Sequence, residues 1–269
     1  NEDAGRSPDG WQIQGRATCD TQYGFAQEMA TPQAHLVEVS GITASPSRPN
    51  ILWMHNDSGG DRNVYGIDLE GQLVHELTVG EIEVDWEDIA AAPCPDQSGP
   101  CLWIGDIGDN LKVRDLVQVI AVPEPEGDGA TTAQKVWRFS VQYPDKPIDA
   151  EALIVAPDGS TFWIFEKTND NKAELFGYPG ELNASETRTL ESTVRFSAPG
   201  VDIENGRTIT AADLHPSGDR ILLRVYTGTF EFRLSAPLAF AELRDLEPES
   251  VAFGPLSEPQ GEAVSYDYA

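Results

Sequence analysis

Short apolar runs closed by a polar side chain recur along the chain. Leu52-Trp53-Met54-His55-Asn56, Leu102-Trp103-Ile104-Gly105-Asp106, Phe162-Trp163-Ile164-Phe165-Glu166 and a fainter Leu222-Leu223-Arg224-Val225-Tyr226 follow one another at 50, 60 and 60 residues. A second landmark keeps step with the first: Trp86-Glu87-Asp88-Ile89, Ala150-Glu151-Ala152-Leu153, Ala211-Ala212-Asp213-Leu214 and Gly261-Glu262-Ala263-Val264, with Val39-Ser40-Gly41-Ile42 as a weaker fifth. Two landmarks in phase define a repeat, and a repeat must be recognised before any other structural reading.

Each repeat predicts four short strands. The first has strands near 37–44, 51–55, 63–68 and 73–79. The second runs from Asp88 through 101–105, 117–122 and 135–142, with 123–130 a loop by composition. The third has 152–155, 161–166, 173–178 and 188–196. The fourth has 212–215, 220–226, 229–234 and 241–246. Pro157-Asp158-Gly159 and Pro216-Ser217-Gly218 supply turns between strands. Four strands per repeat of 47 to 64 residues predict an all-β fold, a β-propeller. The expected count is five blades, or six if the N-terminal extension and 248–259 build another. The last blade is incomplete, with a strand at 263–266 and little else. Residues 1–36 read as an extension that contributes a closing strand, and 37–269 as a single propeller domain.

Composition agrees. Twenty-four glycines and 19 prolines suit many strands joined by tight turns. No apolar run of about 18 residues is present, so no membrane span is expected. The net charge of −27 argues against nucleic acid, whose phosphates it would repel, and favours cations or cationic partners. The plainer reading is a solvated acidic surface. Cys94 and Cys101 flank a short hairpin loop; a disulfide there implies an oxidising compartment, and two free thiols are the alternative. Cys19 is left over. The polar start at 1–10 reads as a linker exposed when a leader is removed. The expected location is secreted, periplasmic or at the cell surface.

First strands of propeller blades line the central channel, so matching acids on them converge. Glu87, Glu151 and Glu262 share one repeat position, and converging carboxylates need raised pKa values or a cation between them. The alternative is that they cap backbone amides at the channel mouth. Asn56, Asp57, Asp106, Asp109, Asn110 and Glu166 follow the Trp-bearing strands. They also suit turns, but they outnumber what turns need. An all-oxygen set favours calcium or magnesium over zinc. His55 beside them is a hydrogen-bonded core residue or a general base. Lys167, Arg224 and Tyr226 are candidates for holding an anionic group or pairing with the acids.

His55-Asn-Asp-Ser-Gly59, Asp85-Trp-Glu-Asp-Ile89, Gly105-Asp-Ile-Gly-Asp-Asn110 and Gln260-Gly-Glu-Ala263 resemble motifs of an uncharacterised family of exported bacterial β-propellers, over about residues 37–267. More distantly the pattern is similar to calcium-dependent propeller hydrolases, the gluconolactonase and paraoxonase group, and phytase-like esterases. That likeness implies calcium in the central channel, with Glu87, Asn56, Asp106 and Asp109 matching ligands by type. Two functions stand as expectations. The first is a cation-binding propeller acting as an interaction module for a protein or carbohydrate partner. The alternative is a calcium-dependent hydrolase of a small ester, lactone or phosphoester.

Overall fold

A computed structural model describes residues 36–57, 62–80, 84–168, 170–251 and 261–267. Nearly all of the expected extension, with its closing strand and with Cys19, lies outside the described residues, as does most of the turn after Asp57. The described residues form four sheets arranged as β-propeller blades, each built of consecutive antiparallel strands.

The first sheet holds β1 (Val39–Ala44), β2 (Ile51–Asn56), β3 (Asn63–Asp68) and β4 (Leu73–Thr78). The second begins with β5 (Trp86–Pro93), β6 (Pro100–Asp106) and β7 (Val117–Pro123). The chain then detours through β8 (Gly129–Thr132), which adds in parallel to β4 of the first sheet, and returns as β9 (Trp137–Gln142). The third sheet has β10 (Ala150–Val155), β11 (Phe162–Glu166) and β12 (Lys172–Gly177). Next comes β13 (Arg188–Thr189), which adds in parallel to β9, and then β14 (Glu191–Ser197). The fourth has β15 (Ile209–Leu214), β16 (Arg220–Val225), β17 (Gly228–Arg233) and β18 (Glu249–Val251). A 3-10 turn, Phe240–Arg244, sits between its last two strands and packs on the third blade, with Phe240 against Trp163 at 4.7 Å between ring centroids. Blades two, three and four thus each send one segment back over the preceding blade.

The apolar runs are continuous, not alternating, because each second strand is covered on both faces. In β6, Leu102 and Ile104 face the first blade with Trp53, Trp86 and Ile120, while Trp103 faces the third with Phe139 and Phe162. Side chains two apart share a face, so one run serves two interfaces. A third core joins blades three and four around Phe165, Phe196, Ile221 and Phe232. On its other face the first blade has only a small cluster, Met54, Tyr65 and Ile67, with half-covered Ile42, Leu52 and Leu73 around it. A cavity of about 270 Å³ opens there, lined partly by Ile42, Pro46, Leu52 and Tyr266.

The count of five or six blades differs from the four sheets described. The strand expected at 263–266 pairs with no sheet among the described residues. Segment 261–267 nevertheless bonds to both ends of the series. Thr210 Oγ1 donates to the Gly261 carbonyl at 2.7 Å, and Tyr266 N donates to Asp213 at 2.7 Å. On the other side, Ala44 N donates to Ser265 Oγ at 3.1 Å. Two further expectations need correction. The strand expected at 241–246 is the 3-10 turn, with β18 as the true fourth strand, and the loop expected at 123–130 contains the start of β8. The Glu-Pro-Glu-Gly-Asp part at 124–128 is loop as its composition says, and only from Gly129 does the chain pair with the edge of β4. Cys94 and Cys101 form the expected disulfide. No helix of the described residues is long and apolar enough to cross a membrane.

Candidate metal centre

All four inner strands carry the same defect at their first residues. Val39 pairs with Asn56, yet Gly41 pairs with His55. The same one-residue slip separates Trp86 from Asp88, Ala150 from Ala152 and Ile209 from Ala211. The extra residues are Ser40, Glu87, Glu151 and Thr210. A bulge re-aims the side chain it carries, and here it does so at the end of the channel where the inner strands begin. In the fourth repeat Thr210, not Ala212, therefore matches Glu87, and Val225, not Tyr226, matches Asn56, Asp106 and Glu166.

At this mouth Asp57, Asp85 and Glu87 each offer a carboxylate oxygen, all within 4.8 Å of one another. Asp57 continues from β2, and Asp85 and Glu87 flank the first residue of β5. Glu87 is 3% exposed. Burial, then the charges of Asp85 and Asp57, push its pKa up to about 9. Its hydrogen-bond support is slight: Ser40 Oγ lies 3.4 Å from Oε2 and donates better to the Glu87 carbonyl, at 2.7 Å. Gly108 backs the cluster. A Cβ there would lie 2.0 Å from Glu87 Oε1 and 2.4 Å from Asp85 Oδ2, so only glycine lets the loop close over the two carboxylates.

Lys167 is the local counter-charge. Its ammonium pairs with Glu151 and lies 3.9 Å from Asp149. It also lowers the proton affinity of Glu87 and of Glu262. Glu262 is half-buried, and burial, then Asp57, raises its pKa. Glu87, Glu151 and Glu262 thus share one electrostatic neighbourhood, as their common repeat position predicts.

The other expected ligands are differently employed. Asp106 accepts from Asp85 N at 3.0 Å and pairs with Arg114 at 2.8 Å. The Asp109 carboxylate accepts the amides of Val113 and Arg114 at 2.9 and 2.7 Å, and its own amide donates to Asp149. Asn56 Oδ1 accepts Val37 N at 2.9 Å. Asn110 is exposed, and half-buried Glu166 lies among Lys112, Glu174 and Arg195. Asn56, Asp106 and Asp109 follow the turn-forming and capping alternative. His55 is fully buried, its Nδ1 2.8 Å from the Asn56 carbonyl and its ring edge-on to Trp86. A Cβ on Gly41 would lie 2.3 Å from its Nε2, and burial lowers its pKa. That enclosure suits packing better than proton transfer. Arg224 is buried against Gly261, where a Cβ would be 1.6 Å from its Nη2, and it reaches Thr229. Tyr226 is half-buried in the turn after β16, on the loop face.

Sequence reasoning missed Asp85, Asp149, Gly108 and Arg114. The run Asp85-Trp86-Glu87-Asp88 carried a signal: Trp86 points into the blade core, so its two neighbours must point away from it. It also missed Asp88, which is fully buried on the channel axis. Asp88 accepts amides from Ile89, Leu153 and Ala212. No protein-family model matches the chain, and no curated protein matches it either.

Proposed function

We propose that the channel mouth binds a divalent cation, calcium by its ligand chemistry, and that the protein works as a binding module. The observation carrying this is the convergence of Asp57, Asp85 and nearly buried Glu87. At an effective dielectric of about 20, two charges roughly 5 Å apart repel by about 3 kcal/mol. Lys167 is already engaged by Glu151 and Asp149 and offsets only part of that. A divalent ion would relieve all of it. Oxygen-only donors favour a hard ion. Three protein oxygens would leave several calcium positions for water or a partner, since calcium takes about 6–8 ligands. The enclosure of His55 favours binding over hydrolysis.

The same reading takes the ring as five positions, with segment 261–267 in the fifth between β15 and β1. The disulfide suits an oxidising compartment, and secretion belongs to this proposal. The test is a melting curve with chelator and with added calcium, for the native protein and for Glu87→Gln. Calcium should raise the native melting temperature by several degrees and leave the variant nearly unmoved. Identical native curves in chelator and calcium would overturn the cation site.

A further inference from the structure

All seven exposed large apolar residues among those described lie at one end of the molecule, the end that carries the acidic mouth. Leu111, Val113 and Leu116 are on the loop between β6 and β7, and Val201 and Ile203 on the connector into β15. The other two lie on the connectors into β1 and β5. Leu111 is 82% exposed and Ile203 65%. The turns at the opposite end carry none. Exposed apolar side chains gathered at one end and rimmed by polar groups are a place to look for an interaction surface.

The two main loops hold these residues outward on fixed frames. Between Leu111 and Val113, Lys112 takes a positive φ of 54°. The Asp109 carboxylate grips the next two amides, and Arg114 donates to the Gly108 carbonyl at 2.6 Å. In the other loop, Gly206 N donates to the Ile203 carbonyl at 2.9 Å, Thr227 to the Gly206 carbonyl at 2.6 Å and Arg207 to the Ala198 carbonyl at 2.7 Å. Rigid presentation lowers the entropy lost on binding. The second loop reads Val201-Asp202-Ile203-Glu204, every residue exposed, so apolar and acidic side chains alternate along it.

We infer that this face docks a protein segment in which apolar and basic side chains alternate. Leu111, Val113, Val201 and Ile203 would take the apolar positions. Asp202 and Glu204, with the acidic mouth behind them, would take the basic ones. The net charge of −27 steers such a partner inward. The inference rests on reading the mouth end as the binding end, and not on the cation.

The test uses the full chain and short labelled peptides followed by fluorescence anisotropy. A peptide alternating leucine and lysine should bind, and more weakly as salt rises. The triple variant Leu111→Ser, Val113→Ser, Ile203→Ser alters only exposed side chains; it should lose roughly tenfold in affinity and keep its melting temperature and its calcium response. Serine–lysine and leucine–glutamate peptides should each bind roughly tenfold more weakly. No binding of the leucine–lysine peptide, equal binding by the triple variant, or equal binding of the serine–lysine peptide would overturn the inference. So would a concentration-dependent dimer that the triple variant abolishes, because the rim would then seat a second copy. Calcium binding without peptide binding removes this inference alone; peptide binding without a calcium response removes the cation alone.

Discussion

Asp88 of the second blade accepts the backbone amide of Leu153 in the third at 2.9 Å. The same oxygen accepts Ala212 N of the fourth blade at 3.3 Å, and Oδ1 accepts Ile89 N at 2.9 Å. One carboxylate thus ties three inner strands together on the channel axis, where no strand can satisfy the others by ladder pairing. Removing it strands buried amides, each costing about 1–3 kcal/mol. Asp88→Ala should therefore lose about 4 kcal/mol in urea unfolding, and Asp88→Asn, which keeps an acceptor, roughly half that. A loss under about 1 kcal/mol for the alanine variant would mean water replaces the carboxylate.

Much of this was legible in the sequence. The repeat period marked the blades, because a strand packed on both faces must be apolar throughout, and Leu102-Trp103-Ile104 is. The shared position of Glu87 and Glu151 was legible for the same reason. Asp88 was not, because its partners are backbone amides, which have no sequence signature. The fourth repeat was read two residues out of step on its inner strand and one on the next. Its bulge residue is Thr210, and a shift of two residues keeps each side chain on the same face, so Ala211-Ala212 looks equally good in either register. Asp106 and Asp109 looked like ligands because caps, turn formers and ligands draw on the same side chains. Only the position of Arg114 and the amides of loop 107–114 separate those roles.

The disulfide gives a second prediction. Cys94 and Cys101 close a short loop at the turn between β5 and β6. Chain-entropy arguments assign a loop of this length about 2.5 kcal/mol. Replacing both cysteines with alanine should cost about that much and leave calcium binding unchanged, since the turn lies at the opposite end from the mouth. Altered calcium affinity in the double variant would contradict that separation.

Part of the pH dependence comes from Asp213. Burial pushes its pKa from an ordinary 3.8 up to about 7, although Tyr266 N and Ser265 Oγ both donate to it and lower it. A folded-state pKa above the unfolded one means the folded chain holds the proton more tightly. That contribution is full below pH 3.8 and is lost as pH rises through about 7. In chelator, the melting temperature should fall across this window. Asp213→Asn should make the fall shallower there, while the part owed to Glu87, whose pKa rises from 4.5 to about 9 on folding, persists across that wider range. An unchanged slope in the variant would show that Asp213 is ionised throughout.

Gly108 offers a test confined to the mouth. A methyl at this position would lie 2.0 Å from Glu87 Oε1 and 2.4 Å from Asp85 Oδ2, distances no real Cβ tolerates. The carboxylates must swing away or the loop must lift. Gly108→Ala should therefore abolish the calcium-induced rise in melting temperature and lower the chelator-treated stability by roughly 1–3 kcal/mol. Melting curves with and without calcium read the first effect, isothermal titration the calcium affinity behind it, and urea unfolding the second. Full calcium affinity in this variant would place the ion away from Glu87 and Asp85.

Lys167 separates two roles that its neighbours combine. Its ammonium pairs with nearly buried Glu151 and stands 3.9 Å from Asp149, so Lys167→Met leaves two carboxylates short of a counter-charge. Breaking a buried pair from one side costs about 3–5 kcal/mol, and the partly exposed lysine here should sit at the lower end of that range. The same lysine draws protons off Glu87 and Glu262, which shows that its charge reaches the proposed ion site. A cation entering that site is repelled by it. Lys167→Met should therefore be less stable in chelator yet bind calcium several-fold more tightly, and calcium should recover much of the lost stability. Opposite signs for stability and affinity are the signature of a built-in competitor. Weaker calcium binding alongside lower stability would make Lys167 a scaffold for the ligands instead.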